Sequence, residues 1–529
     1  LRASGRLYDP PVPPPHLPAA PLADAPPAPR GMLAAHAERA LGDEGLWGLH
    51  VPAAHGGAGA SVLELVRSVT RLAGNLPTAA GMLAVHSSIG AVSALAAFGS
   101  PEQRERLLPG LAQGRPLSVF GATEPEAGCD LGAARTTLSR CDGRLVLDGT
   151  KMFITNATHG RMVKVLAVAD GKPALVLARL PDHDTDSFRL LPYGLHCLRH
   201  TPNHAFEFRG FEVDERDILA APGGDAMAIV WHGLDRGRST LAAQAAGTLR
   251  LLGRHAAAFA LDRRTWGQPI ATRQLVQGRL ARLAAGRLAC EALSTWAAYT
   301  VDRAAAAGVP GGDLEAITAK VVAGAAVREG AVDALGIHGG RAFLAGHPLG
   351  DAFLDHFAVG VYEGESDLLG LALFKGLSRR HPLARHLREG SRARAAAGWL
   401  AWRVSRLSGT RGDAGLLDRR LRDHARAARR VLGRTATAID RAIRRHGRAL
   451  AERQLEIGAL SSAVRDVASV LAVAHTADVR GDDFTLAAAD CWCRMALARA
   501  TGQRLSAADH AALGALGRAV AERASAART

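Results

Sequence analysis

Between Leu117 and about Leu219 a helical sequence gives way to short alternating apolar runs punctuated by glycine. Arg144-Leu-Val-Leu-Asp-Gly-Thr-Lys-Met-Phe-Ile-Thr is one such stretch, and Val163 to Val168, Ala174 to Ala178 and Ala205 to Phe208 are similar. Side chains alternate between the faces of a strand, so this pattern predicts a small, mostly antiparallel β domain. On either side the period is helical. Leu33, His36, Ala37 and Ala40 start one run, and Val62, Leu65, Val66 and Val69 make another. Leu241 to Leu261, Arg273 to Ala306 and Leu314 to Leu335 are long enough for a helix bundle. Beyond them, Leu417, Leu421, Ala425, Ala428 and Leu432 form an apolar stripe with arginines on the other faces. The expected fold class is α+β. It has a Pro-rich arm (1–30), an N-terminal α-helical domain (31–116), a central antiparallel β domain (117–226), a C-terminal four-helix bundle (227–377) and an additional C-terminal α-helical domain (378–529).

Charge narrows the function classes. From Arg379 to Arg453 there are 21 arginines, no lysine and six acids, which accounts for the whole net charge of +15. The remainder is a balanced body with 44 bases and 44 acids. No nucleic-acid motif accompanies the basic segment, so nucleic acid is not an expected partner. Six scattered cysteines give neither a disulfide framework nor metal-ligand spacing, so no metal is expected and a reducing compartment is the simpler reading. The ten prolines of residues 1–30 oppose a helical targeting segment. Leu72 to Pro101 lacks Asp, Glu, Lys and Arg, yet its Asn75, Pro77, His86 and serines favour a helix buried in protein over a membrane span.

Two motifs carry the chemistry. Phe120-Gly-Ala-Thr-Glu-Pro-Glu-Ala-Gly-Cys-Asp130 reads as a turn with free backbone N–H groups, able to hold an anion. Gly149-Thr-Lys-Met-Phe-Ile-Thr-Asn156 ends a strand with an aromatic two residues before a hydroxyl, on one face. Together they resemble the two flavin-binding signatures of the acyl-CoA dehydrogenase family. The resemblance continues in order through Gly48-Leu-His-Val-Pro, His55-Gly-Gly-Ala-Gly, Leu261-Asp-Arg-Arg-Thr-Trp-Gly-Gln, His338-Gly-Gly and Tyr362-Glu-Gly. Ala84-Val-His-Ser-Ser-Ile-Gly, Leu234-Asp-Arg-Gly-Arg, His446-Gly-Arg-Ala-Leu-Ala-Glu-Arg-Gln and Asp490-Cys-Trp-Cys are similar to the very-long-chain branch, which carries a C-terminal helical extension.

The resemblance implies FAD-dependent α,β-dehydrogenation of an acyl-CoA thioester, medium to very long in chain. Glu363 matches the base that takes the α-proton. Burial beside flavin and acyl chain is expected to raise its pKa. Tyr362, Gly364 and Arg238 fall on the substrate side. Some relatives carry the base just before the arginine of the 234–238 segment, and that position here is Gly237. For the cofactor, Thr155 matches the hydroxyl at the flavin ring, Phe153 the aromatic packed on it, and Thr123 a partner of the pyrimidine edge. Phe120 belongs to the same signature. Gly128 and Cys129 would approach the pyrophosphate. Arg263 and Trp266 resemble residues that reach the ADP half across a subunit interface, while Gly339 and Gly340 admit the adenosine.

Four positions depart from the family pattern. Cys129 replaces a serine, Gly336 a flavin-contacting glutamine, Leu354 the arginine of an Arg-Asp pair, and Glu365 a threonine. A Glu365 carboxylate near a pyrophosphate would be repelled by it. The expected partners are an acyl-CoA, an electron-transferring flavoprotein and a second copy of the chain. Trp399 and Trp402, flanked by arginines in Ser391 to Leu407, suit a membrane surface. The expected location is intracellular, in cytoplasm or mitochondrial matrix. The alternatives are an acyl-carrier-protein-linked dehydrogenase and a scaffold or assembly protein with weakened turnover.

Overall fold

The computed structural model describes residues 33, 35–220, 222–309, 311–381, 397–401 and 415–528. The Pro-rich arm and most of Ser391 to Leu407 lie outside them.

The N-terminal helices are α1 (Ala35–Asp43), α2 (Val62–Ala73), α3 (Pro77–Ala84), α4 (Ala91–Phe98) and α5 (Pro101–Ala112). A capping box starts α2: Ser61 Oγ accepts from Glu64 N–H, and the Glu64 carboxylate accepts from Ser61 N–H. The uncharged stretch after Leu72 forms α3, a π turn (Val85–Ile89) and α4. Its Leu83, His86, Ser87, Ser88 and Leu95 are buried inside the protein, which explains why it carries no charge.

The sheet follows: β1 (Ser118–Gly121), β2 (Thr137–Cys141), β3 (Arg144–Ile154), β4 (Met162–Ala169), β5 (Lys172–Arg179), β6 (Phe188–Leu191), β7 (His204–Val213) and β8 (Ile218–Leu219). The order is β6-β7-β3-β2-β4-β5-β8, with β1 also on β4. The sheet is mostly antiparallel, as expected, with two parallel contacts that the alternation does not reveal. β1 lies parallel to β4, and β2 touches β4 in parallel, so the sheet is mixed. Val163 and Val165 of β4 pack with Leu147, Phe188, Phe206 and Phe208 on one face. Met162 and Leu166 turn the other way, toward the helices, and Lys164 shares their face by alternation.

Four helices form the bundle: α6 (Ala226–Asp262), α7 (Gln274–Ala306), α8 (Asp313–His338) and α11 (Ser366–Arg379). The short hairpin β9–β10 (Arg264–Thr265, Gln268–Pro269) follows α6, and the single turns α9 (Pro348–Asp351) and α10 (Asp355–Ala358) precede α11. The extension supplies α12 (Arg419–His446), α13 (Gln454–Arg480), α14 (Asp483–Thr501) and α15 (Ala507–Ala526). One apolar core runs through bundle and extension together, from Leu249 and Leu283 to Val470, Trp492 and Leu516. Cys491 and Cys493 line this core as free thiols.

Candidate active site

Glu363 lies in the loop between α10 and α11. Its backbone is left-handed, with φ 56°, and Gly364 follows at φ 100°. A glutamate in that region costs about 1–2 kcal/mol, so neighbouring structure must hold it there. Two buried cations do so. Arg238 of α6 donates from Nε to the Glu363 carbonyl at 3.2 Å. Lys320 of α8 donates to the carbonyls of Gly360 (3.2 Å) and Gly364 (2.5 Å).

The carboxylate is directed at α6. Its Oε2 is buried and has no hydrogen-bond partner among the described residues. A Cβ at position 237 would stand 2.8 Å from that oxygen and 2.4 Å from Ile89 Cγ2, so a side chain there would push the carboxylate aside. Burial pushes the Glu363 carboxyl up to about 7, against the opposing pull of Arg238 and Lys320. Among the described residues, the Glu363 N–H meets no backbone acceptor. The site therefore holds a base near neutrality and a free amide donor on one residue.

The two β-domain motifs are tied together by a buried ion pair that sequence reasoning missed. Lys151 Nζ donates to Glu124 at 2.6 Å and to the Ala122 carbonyl at 3.2 Å. The same carboxylate accepts from the N–H groups of Arg135 and Thr136. Burial opposes its charge, but Lys151, Thr136 and Arg135 together hold the Glu124 carboxyl below its ordinary range. Met152 N–H donates to the Thr123 carbonyl at 2.9 Å, which fixes the turn against β3.

At the end of β3 the pleat breaks. Phe153 has φ 57° and its ring is 53% exposed, while Ile154 beside it is buried and Thr155 is half-buried. Tyr193 and Asn203, also absent from the sequence reading, brace this kink. Phe153 N–H donates to Tyr193 Oη (2.7 Å), Tyr193 donates to Asn203 Oδ1 (2.7 Å), and Asn203 Nδ2 donates to Thr155 Oγ1 (3.2 Å). Thr155 thus accepts a hydrogen bond from Asn203 and keeps its own hydroxyl hydrogen to donate. No sequence motif flags Tyr193 or Asn203; only the folded sheet brings them to Thr155.

These features fit a flavin: a braced hydroxyl donor, an exposed aromatic on strained backbone, and Gly128 beside open space before an exposed Cys129. Arg263, Trp266, Gly339 and Gly340 occupy a separate, outward-facing place. Trp266 is 89% exposed on the β9–β10 turn, and Arg263 is exposed at the end of α6. Phe259 stacks on His338 at 4.6 Å, joining that end of α6 to Gly339 and Gly340. A Cβ at Gly339 or Gly340 would meet nothing.

Two of the departures have local partners, and a third, Leu354, stands beside a residue that does. Glu365 caps α11, accepting from the N–H groups of Asp367 (2.9 Å) and Leu368 (3.0 Å). Gly336 gives room to Arg279, whose guanidinium Nη1 lies 2.2 Å from where a Cβ would be. Asp355, beside Leu354, accepts from Leu198 N–H at 2.5 Å and lies 3.2 Å from His200 Nδ1, joining the β domain to the loop of Glu363. Nothing in the structure explains Cys129.

Comparison with known proteins gives the family and the fold. Models of the acyl-CoA dehydrogenase N-terminal, middle and C-terminal domains match residues 23–115, 119–210 and 225–378. An acyl-CoA dehydrogenase of Bacillus subtilis (strain 168) is 31% identical over 343 residues, which are 64% of this chain and 88% of the relative. The mitochondrial very long-chain specific acyl-CoA dehydrogenase of Macaca fascicularis is 27% identical, across 63% of this chain and 51% of its own. A crystal structure of an acyl-CoA dehydrogenase complexed with FAD from Bacillus anthracis shares the fold at a TM-score of 0.76 and 19% identity. It covers 92% of this chain and 89% of its own, a share that takes in most of the C-terminal helices.

Proposed function

The chain belongs to the acyl-CoA dehydrogenase family, a group of FAD-dependent oxidoreductases acting on acyl-CoA, and from that premise we propose that Glu363 is its catalytic base. The observation that carries this reading is the buried, unbonded Oε2 of Glu363, pushed to about 7 and aimed at the face of α6 that Gly237 leaves open. Near pH 7 such a group can hold or release a proton, as general-base work requires. Glu363 takes the proton from the α-carbon. Its N–H is placed on the same residue to bond the thioester oxygen as negative charge develops there. Arg238 and Lys320 pin the carbonyls around it, so the carboxylate stays in place during the transfer. FAD, when bound, would supply the acceptor for the hydride that leaves the β-carbon. Phe120, Thr123, Gly128, Phe153 and Thr155 would hold the flavin half of that group, and the Tyr193–Asn203 pair orients Thr155.

Anaerobic titration tests the reading. The purified protein should be yellow and bleach when an acyl-CoA is added. Glu363→Gln should stay yellow and not bleach. Protein that takes up no FAD, or a bleaching Glu363→Gln variant, would overturn the proposal. We read the carrier as CoA from the relatives; turnover of acyl-carrier-protein thioesters alone would replace it.

The finer expectations stand as part of the proposal: an electron-transferring flavoprotein as acceptor, a homodimer, and a reducing compartment such as cytoplasm or mitochondrial matrix. The basic segment is proposed to rest on an anionic membrane surface. Flotation with anionic liposomes at low salt checks this, and protein left at the bottom of the gradient argues against it.

A further inference from the structure

The face of α6 that receives Glu363 bears a second buried charge one turn away. Gly233 and Gly237 are four residues apart, about 6 Å along the helix axis. A Cβ at 237 would touch the Glu363 carboxylate, and a Cβ at 233 would stand 3.1 Å from Lys164 Nζ. The Ser88 carbonyl and Ile89 Cα lie 3.5 and 3.6 Å from that same point, so the π turn covers both glycines. Lys164 is fully buried on β4, and its ammonium sits 4.5 Å from the ring centre of Phe120.

This ammonium is anomalous for a protein interior. Among the described residues it has no hydrogen-bond partner and no carboxylate. His232 of α6 lies nearby, with Arg236 and His50 on the same side, and burial pushes both imidazoles well below their ordinary range, so neither brings a counter-charge. Asp235 and Asp302, the acids in this region, act on Arg236. Burial pushes the Lys164 amine down to about 7, and an anion bound against it would hold it in its charged form. The strand pattern asks for an apolar residue here, since Met162 and Leu166 on the same face are core.

Resting on the dehydrogenase reading, we propose that Lys164 receives a carboxylate at the far end of the acyl chain, so that the preferred substrate is the CoA thioester of a short dicarboxylic acid. The separation along α6 suits a diacid of about five or six carbons, with its α-carbon at Glu363 and its ω-carboxylate at Lys164. An unsubstituted long chain would instead press methylenes against an unpaired ammonium. The inference therefore moves the substrate away from the medium to very long chains that the resemblance implies.

The experiment compares adipyl-CoA with hexanoyl-CoA on the FAD-loaded enzyme, since both have six carbons and differ only at the far end. Adipyl-CoA should have the higher kcat/KM by about tenfold or more, because a buried ion pair is formed with one and an ammonium left bare with the other. Lys164→Met should reverse the preference. Hexanoyl-CoA favoured by the wild type, or a ratio unchanged within about twofold in Lys164→Met, overturns the inference. If that variant does not fold, the wild-type ratios for glutaryl- against valeryl-CoA and adipyl- against hexanoyl-CoA decide alone. Bleaching by hexanoyl-CoA with adipyl-CoA inert removes this inference and leaves the dehydrogenase standing. Failure of every thioester removes both.

Discussion

At the scale of single residues, Glu363 trades stability for chemistry. Its carboxyl is raised by burial from 4.5 to about 7. A raised acid contributes stability that is fully present below 4.5 and lost as pH climbs through about 7. Glu363→Gln should therefore match the wild type near pH 4.5 and exceed it at pH 8 by up to about 3 kcal/mol, read by chemical denaturation. Activity follows the opposite sign. The base works deprotonated, so kcat/KM should rise as pH passes through about 7. A flat profile between pH 6 and 8 would mean that another group takes the proton. The glycine facing it gives a second test. Gly237→Ala puts a methyl against Oε2 and Ile89, so it should lower kcat/KM while the fold survives, as circular dichroism can check. Glu363 was legible in the sequence because Tyr-Glu-Gly is a short motif. Lys320 and Arg238 act on it from α8 and α6. The resemblance placed Arg238 on the substrate side without its hold on the loop, and no local pattern announced Lys320.

At the scale of elements, the sequence showed which segments were helix and strand, but not what ties one to another. The two flavin motifs were recognised as separate loops, although their Glu124 and Lys151 form one buried pair. Lys151→Met should strand a buried carboxylate and cost about 3–5 kcal/mol, with FAD released more readily. The double change with Glu124→Gln should recover much of this, since it removes both charges. The parallel pairing of β1 with β4 also escaped the sequence, because alternation gives a strand's faces and not its neighbours. Glu365 was read as a threat to a nearby phosphate. The structure turns its carboxylate onto the first N–H groups of α11, where negative charge is favourable. Glu365→Ala should lose about 1 kcal/mol of stability, and Glu365→Thr should keep most of it. FAD affinity measured for Glu365→Gln should stay close to wild type; a gain of about tenfold would restore the repulsion argument. Gly336 and Arg279 behave as one unit in the same way. Gly336→Gln alone overpacks Arg279 and should cost about 1–3 kcal/mol, and Arg279→Ala in the same chain should relieve it.

At the scale of the whole molecule, the residues assigned to FAD fall into two places. Phe120, Thr123, Phe153 and Thr155 belong to the two motifs of the β domain, which Leu198 and His200 join to the loop of Glu363 through Asp355. Arg263 and Trp266 face outward from the far end of α6, with Trp266 almost fully exposed. A large exposed indole on left-handed backbone, φ 47°, is a poor feature for a free surface and a good one for a contact. If a second copy completes each site, two defective chains should rescue one another. Arg263→Ala should lower FAD affinity and turnover, and Glu363→Gln should abolish turnover. Co-expressed, they form mixed dimers in which one site pairs an intact Glu363 with the intact Arg263 of its partner. That site should turn over, while the other site of the same dimer carries both defects. Each variant alone should show little activity, and the mixture a substantial part of the wild-type rate. Were Arg263 to serve its own chain's flavin, every site in the mixture would carry one defect and no rescue would appear. Size-exclusion chromatography with light scattering on the same samples reads the dimer directly, so a monomeric wild type would dismiss the shared site without recourse to kinetics.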